Sequence, residues 1–328
     1  MSVSAPGPTS SDESFKSVLA ALAANTTIAI AKGTAAALTG SPALLAETLH
    51  TIADAGNEVF LWIAVTRSRH AADASHPFGY GPERYYWALI AAIGMFLIGG
   101  ALSVWEGINA LFHPRPLEDF WVGVAVLLVA LVLDGLSRLV AVRTLRRQAE
   151  LRGVTVHELI RESPDPTVVT VYLEDTIDVL GAALALLALI LHRVTGSALP
   201  DALATIAIGL MLGFVALRLT GRNRQLLTNQ AVPDRYIEDL RRRLVEMPGI
   251  AGVATLSAVY LGPGEVLVTA EVTVEEGQDG DGVVAALDHA RSAITRDAPA
   301  IARMYLTPVP QWTTTSGTAR RSRPARER

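Results

Sequence analysis

Long apolar segments constrain the fold of this chain more than any other feature. A helix needs about 20 predominantly apolar residues to cross the roughly 30 Å hydrocarbon core of a bilayer. The sequence predicts six such spans, near residues 15–38, 42–66, 86–112, 119–142, 167–192 and 198–220. Of the 328 residues 50% are hydrophobic and only 18% charged, which is too apolar for an ordinary soluble domain of this length. We therefore expect a multi-pass integral membrane protein.

The first predicted span is the least regular, because its Ala-rich run carries Asn25 and Lys32. A cleavable signal peptide is the competing interpretation. The length of the run, its acidic start and the lack of a clear small-residue cleavage site before the next span favour a retained helix.

Arginine residues indicate the orientation of the spans. They concentrate in the second-to-third and fourth-to-fifth connections, whereas the alternate connections offer only Arg115 and Arg193. By the positive-inside rule, both termini are expected on the cytoplasmic side, in a plasma (inner) membrane. The arginines of the two rich connections are Arg67, Arg69, Arg84, Arg143, Arg146, Arg147, Arg152 and Arg161.

The chain changes character after Arg224. Residues 1–14 are a predicted N-terminal tail, 15–224 the membrane domain, 232–310 a small α+β domain and 311–328 a basic, low-complexity, disordered tail. In the α+β domain the predicted order is α-β-β-α-β, with helices on one face of a sheet. Its second strand shows strict alternation of small apolar residues, namely Val266, Val268, Ala270, Val272 and Val274. Nothing beyond the short tail indicates nucleic-acid binding, and a solvated tail is a simpler interpretation than lipid contact.

Two predicted spans carry clusters of ionisable residues. In the second span Glu47, His50 and Asp54 fall on one helical stripe, because they are spaced three and four residues apart. The fifth span places Glu174, Asp175 and Asp178 within about one turn. An ionisable group costs at least ~2.5–3.5 kcal/mol in hydrocarbon, so two such clusters indicate a function.

These clusters favour a metal site over a proton relay or a structural network, which remain alternatives. The chain has no Cys, so ligands must come from His and carboxylates. One imidazole nitrogen with two or three carboxylate oxygens suits Zn²⁺, whereas Mn²⁺ and Fe²⁺ prefer more oxygens and six ligands. Asn57 lies one turn beyond Asp54 and is a candidate to support a ligand, as is Glu47.

Four features occur in order along the chain: the motif "HTIAD" on the second helix, the following "HPFGYGPERYYWAL", the acidic fifth helix and the α+β end. Together they resemble the cation diffusion facilitator family over residues 15–310. The resemblance implies six transmembrane helices, a cytoplasmic ferredoxin-like, metallochaperone-like domain and a homodimer. It also implies a divalent cation bound between helices two and five by His50, Asp54 and Asp178. Where many members carry His, this chain has Glu174, with Asp175 as the alternative ligand, as in a branch with a Glu-Asp pair.

The function expected from this resemblance is export of Zn²⁺ from the cytoplasm in exchange for protons by alternating access. Mn²⁺, Fe²⁺ and Co²⁺ are the alternative cargoes, and no enzymatic activity is expected. Two other functional classes stay open. One is a membrane-embedded metal-dependent hydrolase, although the chain lacks H-E-x-x-H, a nucleophile elbow and a glycine-rich phosphate loop. The other is a passive metal channel or sensor, which would lack proton coupling.

Several further residues carry weaker expectations. Asp73 and His76 are a possible second metal site in the first cytoplasmic loop, although Tyr80 stands where some family members place another His. The α+β domain has only His289, so we expect it to dimerise rather than hold a His-rich binuclear site. We expect interhelical bonds from Asn25, Lys32, Glu106, Asp134 and Asp201, and solvated side chains for His113, His157 and His192.

Overall fold

The computed structural model describes residues 11–162 and 166–310, with side chains described from residue 25 onward except at 152 and 161–171. The predicted basic tail, 311–328, and most of the predicted N-terminal tail, 1–14, lie outside the described residues. The chain divides into a helical unit, which runs to Ala231 and includes Val259–Val266, and a smaller unit, which comprises Val232–Ala258 and the residues from Leu267 and contains most of a three-stranded sheet.

The helical unit contains a long helix for every predicted span. A π-helical segment (Met95–Ala101) joins α3 to α4, so that these elements run on as one helix from Glu83 to Phe112. The short α6 lies in the connection between the fourth and fifth predicted spans. The helices are α1 (Ser11–Thr39), α2 (Pro42–Ser68), α3 (Glu83–Gly94), α4 (Leu102–Phe112), α5 (Phe120–Arg152), α6 (Val156–Glu162), α7 (Pro166–Thr195) and α8 (Leu199–Leu227).

Among the described residues, four helices are long and apolar enough to cross a membrane. Helix α2 is not one of them, and Glu47, Asp54 and Glu58 interrupt its apolar sequence. The four helices identify an integral membrane protein, as expected. They are Glu83–Phe112, Phe120–Leu151, Tyr172–Thr195 and Leu199–Leu227.

A tight turn connects α1 to α2. Gly40 adopts a left-handed conformation with φ +69°, which ends α1, and its N–H donates to the Ala36 carbonyl at 2.9 Å. Ser41 then caps α2, because its hydroxyl oxygen accepts from the Leu44 N–H at 3.2 Å, and Pro42 occupies the first helical position. The two helices therefore pack side by side in opposite directions.

Glycines bring α4 and α8 into backbone contact. A Cβ on Gly209 would lie 2.7 Å from the Val104 nitrogen, and one on Gly107 would lie 3.1 Å from the Ala202 carbonyl oxygen. Small residues at such positions allow close packing where no hydrophobic effect drives helices together. Helix α8 also packs against α2 and α7, so this contact supports the two helices that carry the ionisable clusters.

The smaller unit forms around a sheet with strand order β1-β2-β3. The predicted α-β-β-α-β order is confirmed, and the alternating residues Val268, Ala270 and Val272 are buried beside Leu244 and Ile294 of the helices. This alternation places one face of β2 in the core and the other towards solvent. The elements are α9 (Asp234–Val245), β1 (Ile250–Gly262), β2 (Glu265–Val274), α10 (Gly280–Asp297) and β3 (Ile301–Val309).

Candidate metal centre

Helices α2 and α7 pack together and run in opposite directions. Three contacts establish this: Glu47 lies against Gly181, His50 faces Asp178, and Asn57 donates a hydrogen bond to Glu174. Residue numbers rise along α2 while those of their partners fall along α7. The predicted stripe on the second span therefore faces the acidic cluster of the fifth span.

Three of the predicted ligands converge at the middle of this interface, and we call them the convergent group: His50, Asp54 and Asp178. His50 Nε2 lies 3.2 Å from Asp178 Oδ1 and 3.4 Å from Asp54 Oδ2. One ligand atom from each residue lies within 4.8 Å of the other two. His50 is 1% exposed and Asp54 9%, whereas the Asp178 side chain is 23% exposed, so the group is buried on the α2 side and partly accessible at α7.

Three buried polar atoms of the convergent group have no hydrogen-bond partner among the described residues. Both ring nitrogens of His50 and the Oδ1 atom of Asp54 have no hydrogen-bond partner within the part of the chain that the structure describes. The short distances from His50 Nε2 are therefore contacts without hydrogen-bond geometry. Buried polar atoms are normally paired, and unpaired ones cost about 1–3 kcal/mol each. A cation between the three side chains would satisfy them together.

The donor set has one imidazole nitrogen and two carboxylates. This combination suits Zn²⁺ and also accepts Mn²⁺, Fe²⁺ or Co²⁺, since carboxylate oxygens are hard ligands. Three protein ligands leave a coordination position open for a further ligand. Such a group can bind and release an ion, and it can bind protons when the ion has left.

The neighbouring acidic residues of α7 face different helices. Glu174 Oε1 accepts a hydrogen bond from the Asn57 side chain of α2. Asp175 Oδ1 instead accepts from Ser137 Oγ of α5 at 3.1 Å. Neither residue belongs to the compact group of three found among the described residues. Glu174 nevertheless shares the interface of the convergent group, whereas Asp175 is directed towards α5.

Glu47 pairs with a residue that the sequence did not connect to it. Lys32 of α1 donates to Glu47 Oε2 at 3.0 Å and to Thr51 Oγ1 at 3.1 Å. Lys32 is 3% exposed and Glu47 is fully buried. This confirms the expected interhelical bond of Lys32, but its partner depends on how α1 packs against α2.

Glu58 was missed in the sequence analysis. It lies four residues after Asp54 and therefore extends the same helical stripe, a signal that the spacing already contained. Its Oε1 atom accepts from Asn25 Nδ2 of α1 at 2.9 Å. Polar side chains thus continue along α2 from Glu47 beyond the convergent group.

A second buried carboxylate cluster lies at the start of α2, and we call Ser41, His192 and Asp201 the capping group. Asp201 Oδ1 accepts from Ser41 Oγ at 2.9 Å and from the Ala43 N–H at 3.1 Å, while His192 Nδ1 lies 3.5 Å from Oδ2. The expected interhelical bond of Asp201 is confirmed. The expectation of a solvated His192 is wrong, because its ring turns towards Asp201 and is only 6% exposed.

The loop that follows α2 uses Asp73 as a hydrogen-bond acceptor. Its Oδ1 accepts from Ser75 Oγ at 2.6 Å and from the His76 N–H at 2.8 Å, and its Oδ2 accepts from Tyr80 Oη at 2.8 Å. These bonds, first from Ser75 and then from Tyr80, hold the pKa of Asp73 well below its usual range. The His76 ring stacks on Tyr80 with centroids 3.9 Å apart. Asp73 and His76 are thus close together, but the oxygens of Asp73 already have partners.

Long apolar helices identify a membrane protein, and between them lies a group of nitrogen and carboxylate atoms that could hold a metal cation. Residues 18–228 match the cation efflux transmembrane domain, which is most of the helical unit. The chain belongs to the cation diffusion facilitator family, as the sequence motifs indicated. It carries the transmembrane domain of this family of cation-efflux proteins.

Several curated proteins are similar to this chain. The mitochondrial proton-coupled zinc antiporter SLC30A9 of Mus musculus is 34% identical over 234 residues, which cover 71% of this chain and 41% of that protein. Metal tolerance protein C4 of Arabidopsis thaliana is 32% identical over 232 residues, 71% of this chain and 51% of that protein. The cation-efflux pump FieF of Klebsiella pneumoniae is 31% identical over 228 residues, 69% of each. The chain thus spans less than half of the length of the antiporter and about half of the plant protein.

Proposed function

We propose that this protein is a proton-coupled antiporter that exports Zn²⁺ from the cytoplasm. The observation that carries this proposal is the convergent group, in which one imidazole nitrogen and two carboxylate oxygens lie within 4.8 Å of one another. His50, Asp54 and Asp178 are the proposed ligands of the transported ion. The mouse relative, which is named a proton-coupled zinc antiporter, supports the same cargo and coupling.

Proton coupling follows from the burial of the ligands. Without an ion, two adjacent carboxylates at low exposure repel each other and favour protonation. A divalent ion binds the deprotonated ligands, so that ion and protons compete for the same atoms. Exchange of one for the other across the membrane is antiport, provided that the site opens to only one side at a time.

Glu174 is the proposed fourth ligand. Its contact with Asn57, one helical turn beyond Asp54, orients it along the interface of α2 and α7. A shell with three carboxylates and one nitrogen is harder than one with two imidazoles, so it should accept Zn²⁺ and tolerate Mn²⁺, Fe²⁺ or Co²⁺. Asp175 remains the alternative ligand, although its contact with Ser137 favours a role at α5.

The proposed topology has six transmembrane helices, with α1 and α2 joining the four that are apolar enough to span. The arginine distribution supports cytoplasmic termini. The proposed location is a plasma (inner) membrane. Antiparallel packing of α2 and α7 supports alternating access, because a small tilt of one helix against the other would open the interface at one end.

For the smaller unit, residues 232–310, we propose a ferredoxin-like, metallochaperone-like fold that supports a homodimer. The α-β-β-α-β order and the single His289 support a role in assembly rather than in metal storage. Truncation after Ala231 should weaken the dimer and leave the number of bound ions per protomer unchanged. Light scattering and metal analysis of both forms test this, and a lost ion would place a metal site in the smaller unit.

The decisive experiment is transport by the purified protein in liposomes that contain a zinc-sensitive dye. We expect Zn²⁺ uptake to rise when the liposome lumen is more acidic than the outer solution. We also expect the outer solution to become more acidic as Zn²⁺ enters, because protons leave in exchange. Uptake that ignores the proton gradient would identify a passive channel. A protein that binds Zn²⁺ but moves none would support a sensor or a membrane hydrolase instead.

Competition between metals tests the ligand on α7. Glu174→His should shift transport towards Zn²⁺ over Mn²⁺ by about tenfold, because imidazole suits zinc and one negative charge is lost. Asp175→Asn is the matched control and should leave the ratio unchanged. If only Asp175→Asn changes the ratio, Asp175 is the ligand and Glu174 is not.

A further inference from the structure

The buried pair of Lys32 and Glu47 lies beside the convergent group and has no part in the ligand set proposed above. Lys32 Nζ is 3.0 Å from Glu47 Oε2. The two side chains are 3% and 0% exposed, so water contributes little to screening either charge. A buried ion pair is costly to assemble compared with apolar residues of similar size, which makes its position in the molecule informative.

The ammonium of Lys32 is held at one place. Thr51, the residue after His50, donates its hydroxyl hydrogen to the Glu47 carbonyl oxygen at 3.0 Å. Its oxygen is then available to accept from Lys32, which it does at 3.1 Å. Lys32 therefore holds a fixed positive charge against the turn of α2 that carries His50.

Glu47 extends into the interface between the two ligand-bearing helices. It lies three residues before His50, and its Oε1 atom is buried without a hydrogen-bond partner among the residues described. The space for it exists because residue 181 is a glycine, since a Cβ there would collide with Glu47 Oε1. Gly181 lies three residues after Asp178, on the same face of α7. The second oxygen of Glu47 is thus aimed between the helices, next to the ligands.

We propose that Lys32 is a tethered cation that neutralises Glu47 and so sets how tightly the neighbouring site binds its divalent ion. The inference rests on the proposed function, since it takes His50, Asp54 and Asp178 as the ligands. While Lys32 and Glu47 are paired, their charges nearly cancel, so an ion at the convergent group interacts mainly with the charges of its own ligands. Lys32 is accordingly a positioning residue that tunes affinity through Glu47.

The sign of each perturbation follows from Coulomb's law. Neutralising Glu47 alone leaves an unpaired ammonium close to the site, which repels a divalent ion. Neutralising Lys32 alone leaves a carboxylate whose free oxygen already points between α2 and α7, and this carboxylate can attract the ion. A transporter must bind its ion firmly enough to load it and weakly enough to release it, so affinity has to be balanced.

The test is a set of four proteins: wild type, Glu47→Gln, Lys32→Met and the double variant, which keep the shapes of the side chains. We expect Glu47→Gln to bind Zn²⁺ at least about tenfold more weakly and Lys32→Met to bind at least as tightly as wild type. The double variant should return to within about threefold of wild type. Isothermal titration of the purified full chain at pH 8 measures the affinities, and thermal unfolding without metal reports on folding.

A purely structural pair would behave differently. Both single variants would then bind more weakly, in proportion to their loss of thermal stability, and this outcome would overturn the proposal, as would unchanged binding by Glu47→Gln. If Glu47→Gln does not fold, the comparison of Lys32→Met with the double variant decides. Tighter binding by Lys32→Met supports the proposal, and equal or weaker binding overturns it.

Asp54→Asn separates this inference from the proposed function. If wild type and Asp54→Asn bind Zn²⁺ equally, the convergent group is not the ion site and the proposed function fails. If Asp54→Asn loses binding but the Lys32 and Glu47 variants all match wild type, only the tethered-cation inference fails.

Discussion

Two buried carboxylate clusters of the helical unit differ in how completely their polar atoms are paired. In the capping group, Asp201 accepts hydrogen bonds from Ser41 and from the Ala43 N–H and faces His192. In the convergent group, both His50 nitrogens and Asp54 Oδ1 have no hydrogen-bond partner in the described part of the chain. Both clusters combine His with Asp, so composition alone does not distinguish them.

The difference favours ion binding at the convergent group and helix packing at the capping group. Asp201 supplies the acceptor that the N-terminus of α2 requires, and a negative charge there is also favoured by the helix dipole. The convergent group spans two helices and leaves its ligand atoms unpaired at the cost of stability. Unpaired buried polar atoms of this kind are found at functional sites, where a bound ligand or proton pairs with them.

The largest effect is expected at the convergent group. Asp178→Asn should reduce metal transport by at least about a hundredfold, because one of the proposed ligands is lost. Thermal stability without metal should stay the same or rise, since one of two adjacent carboxylates is neutralised. Liposome uptake and thermal unfolding measure the two quantities. Ser41→Ala is the control at the capping group, and a comparable loss of transport there would remove the distinction between the clusters.

The reverse result is expected at the capping group. Asp201→Ala should lower the free energy of unfolding by about 2 kcal/mol, because the Ser41 hydroxyl and the Ala43 N–H lose their acceptor. Zn²⁺ affinity should stay within about threefold of wild type. Unfolding in mixed detergent micelles and isothermal titration check these values. Normal stability with impaired binding would show that the capping group belongs to the ion pathway.

A smaller effect is expected for the residue that orients Glu174. Asn57→Ala removes the hydrogen bond to Glu174 and should weaken Zn²⁺ binding by about tenfold, the usual scale for a residue that positions a ligand. Asn25→Ala is the matched control, because Asn25 contacts Glu58 instead. Equal effects of both substitutions on titrated affinity would argue against Glu174 as the fourth ligand.

The smallest effect concerns the loop around Asp73, outside the helices. The folded loop holds the pKa of Asp73 below that of an unfolded aspartate. The hydrogen bonds to the Asp73 carboxylate therefore stabilise the folded loop above about pH 4, and this stabilisation is lost as the pH falls through the lowered pKa. Hydrogen exchange of residues 73–80 should thus be insensitive to Asp73 protonation between pH 5 and 7, after correction for intrinsic rates. Asp73→Asn should speed exchange severalfold at pH 7 without changing metal stoichiometry. A lost ion in this variant would establish the loop site.

Much of the architecture could be predicted from the sequence, because its signals are local. Apolar segments long enough for a bilayer predicted the long helices, and alternation in β2 predicted the buried face of the strand. The stripe on α2 followed from residue spacing alone, since side chains three and four apart share a helical face. That spacing also contains Glu58, which lies four residues beyond Asp54.

The partners of these side chains depended on tertiary structure. Glu174 and Asp175 are adjacent, about 100° apart around α7, and only the rotation of that helix directs one towards α2 and the other towards Ser137. In the same way, the packing of α1 on α2 brings Lys32 to Glu47. The ends of α7 and α8 bury His192 beside Asp201, against the expectation of solvent exposure. Helical periodicity determines which residues share a face, whereas the face each helix presents to its neighbours is decided when all the helices pack together.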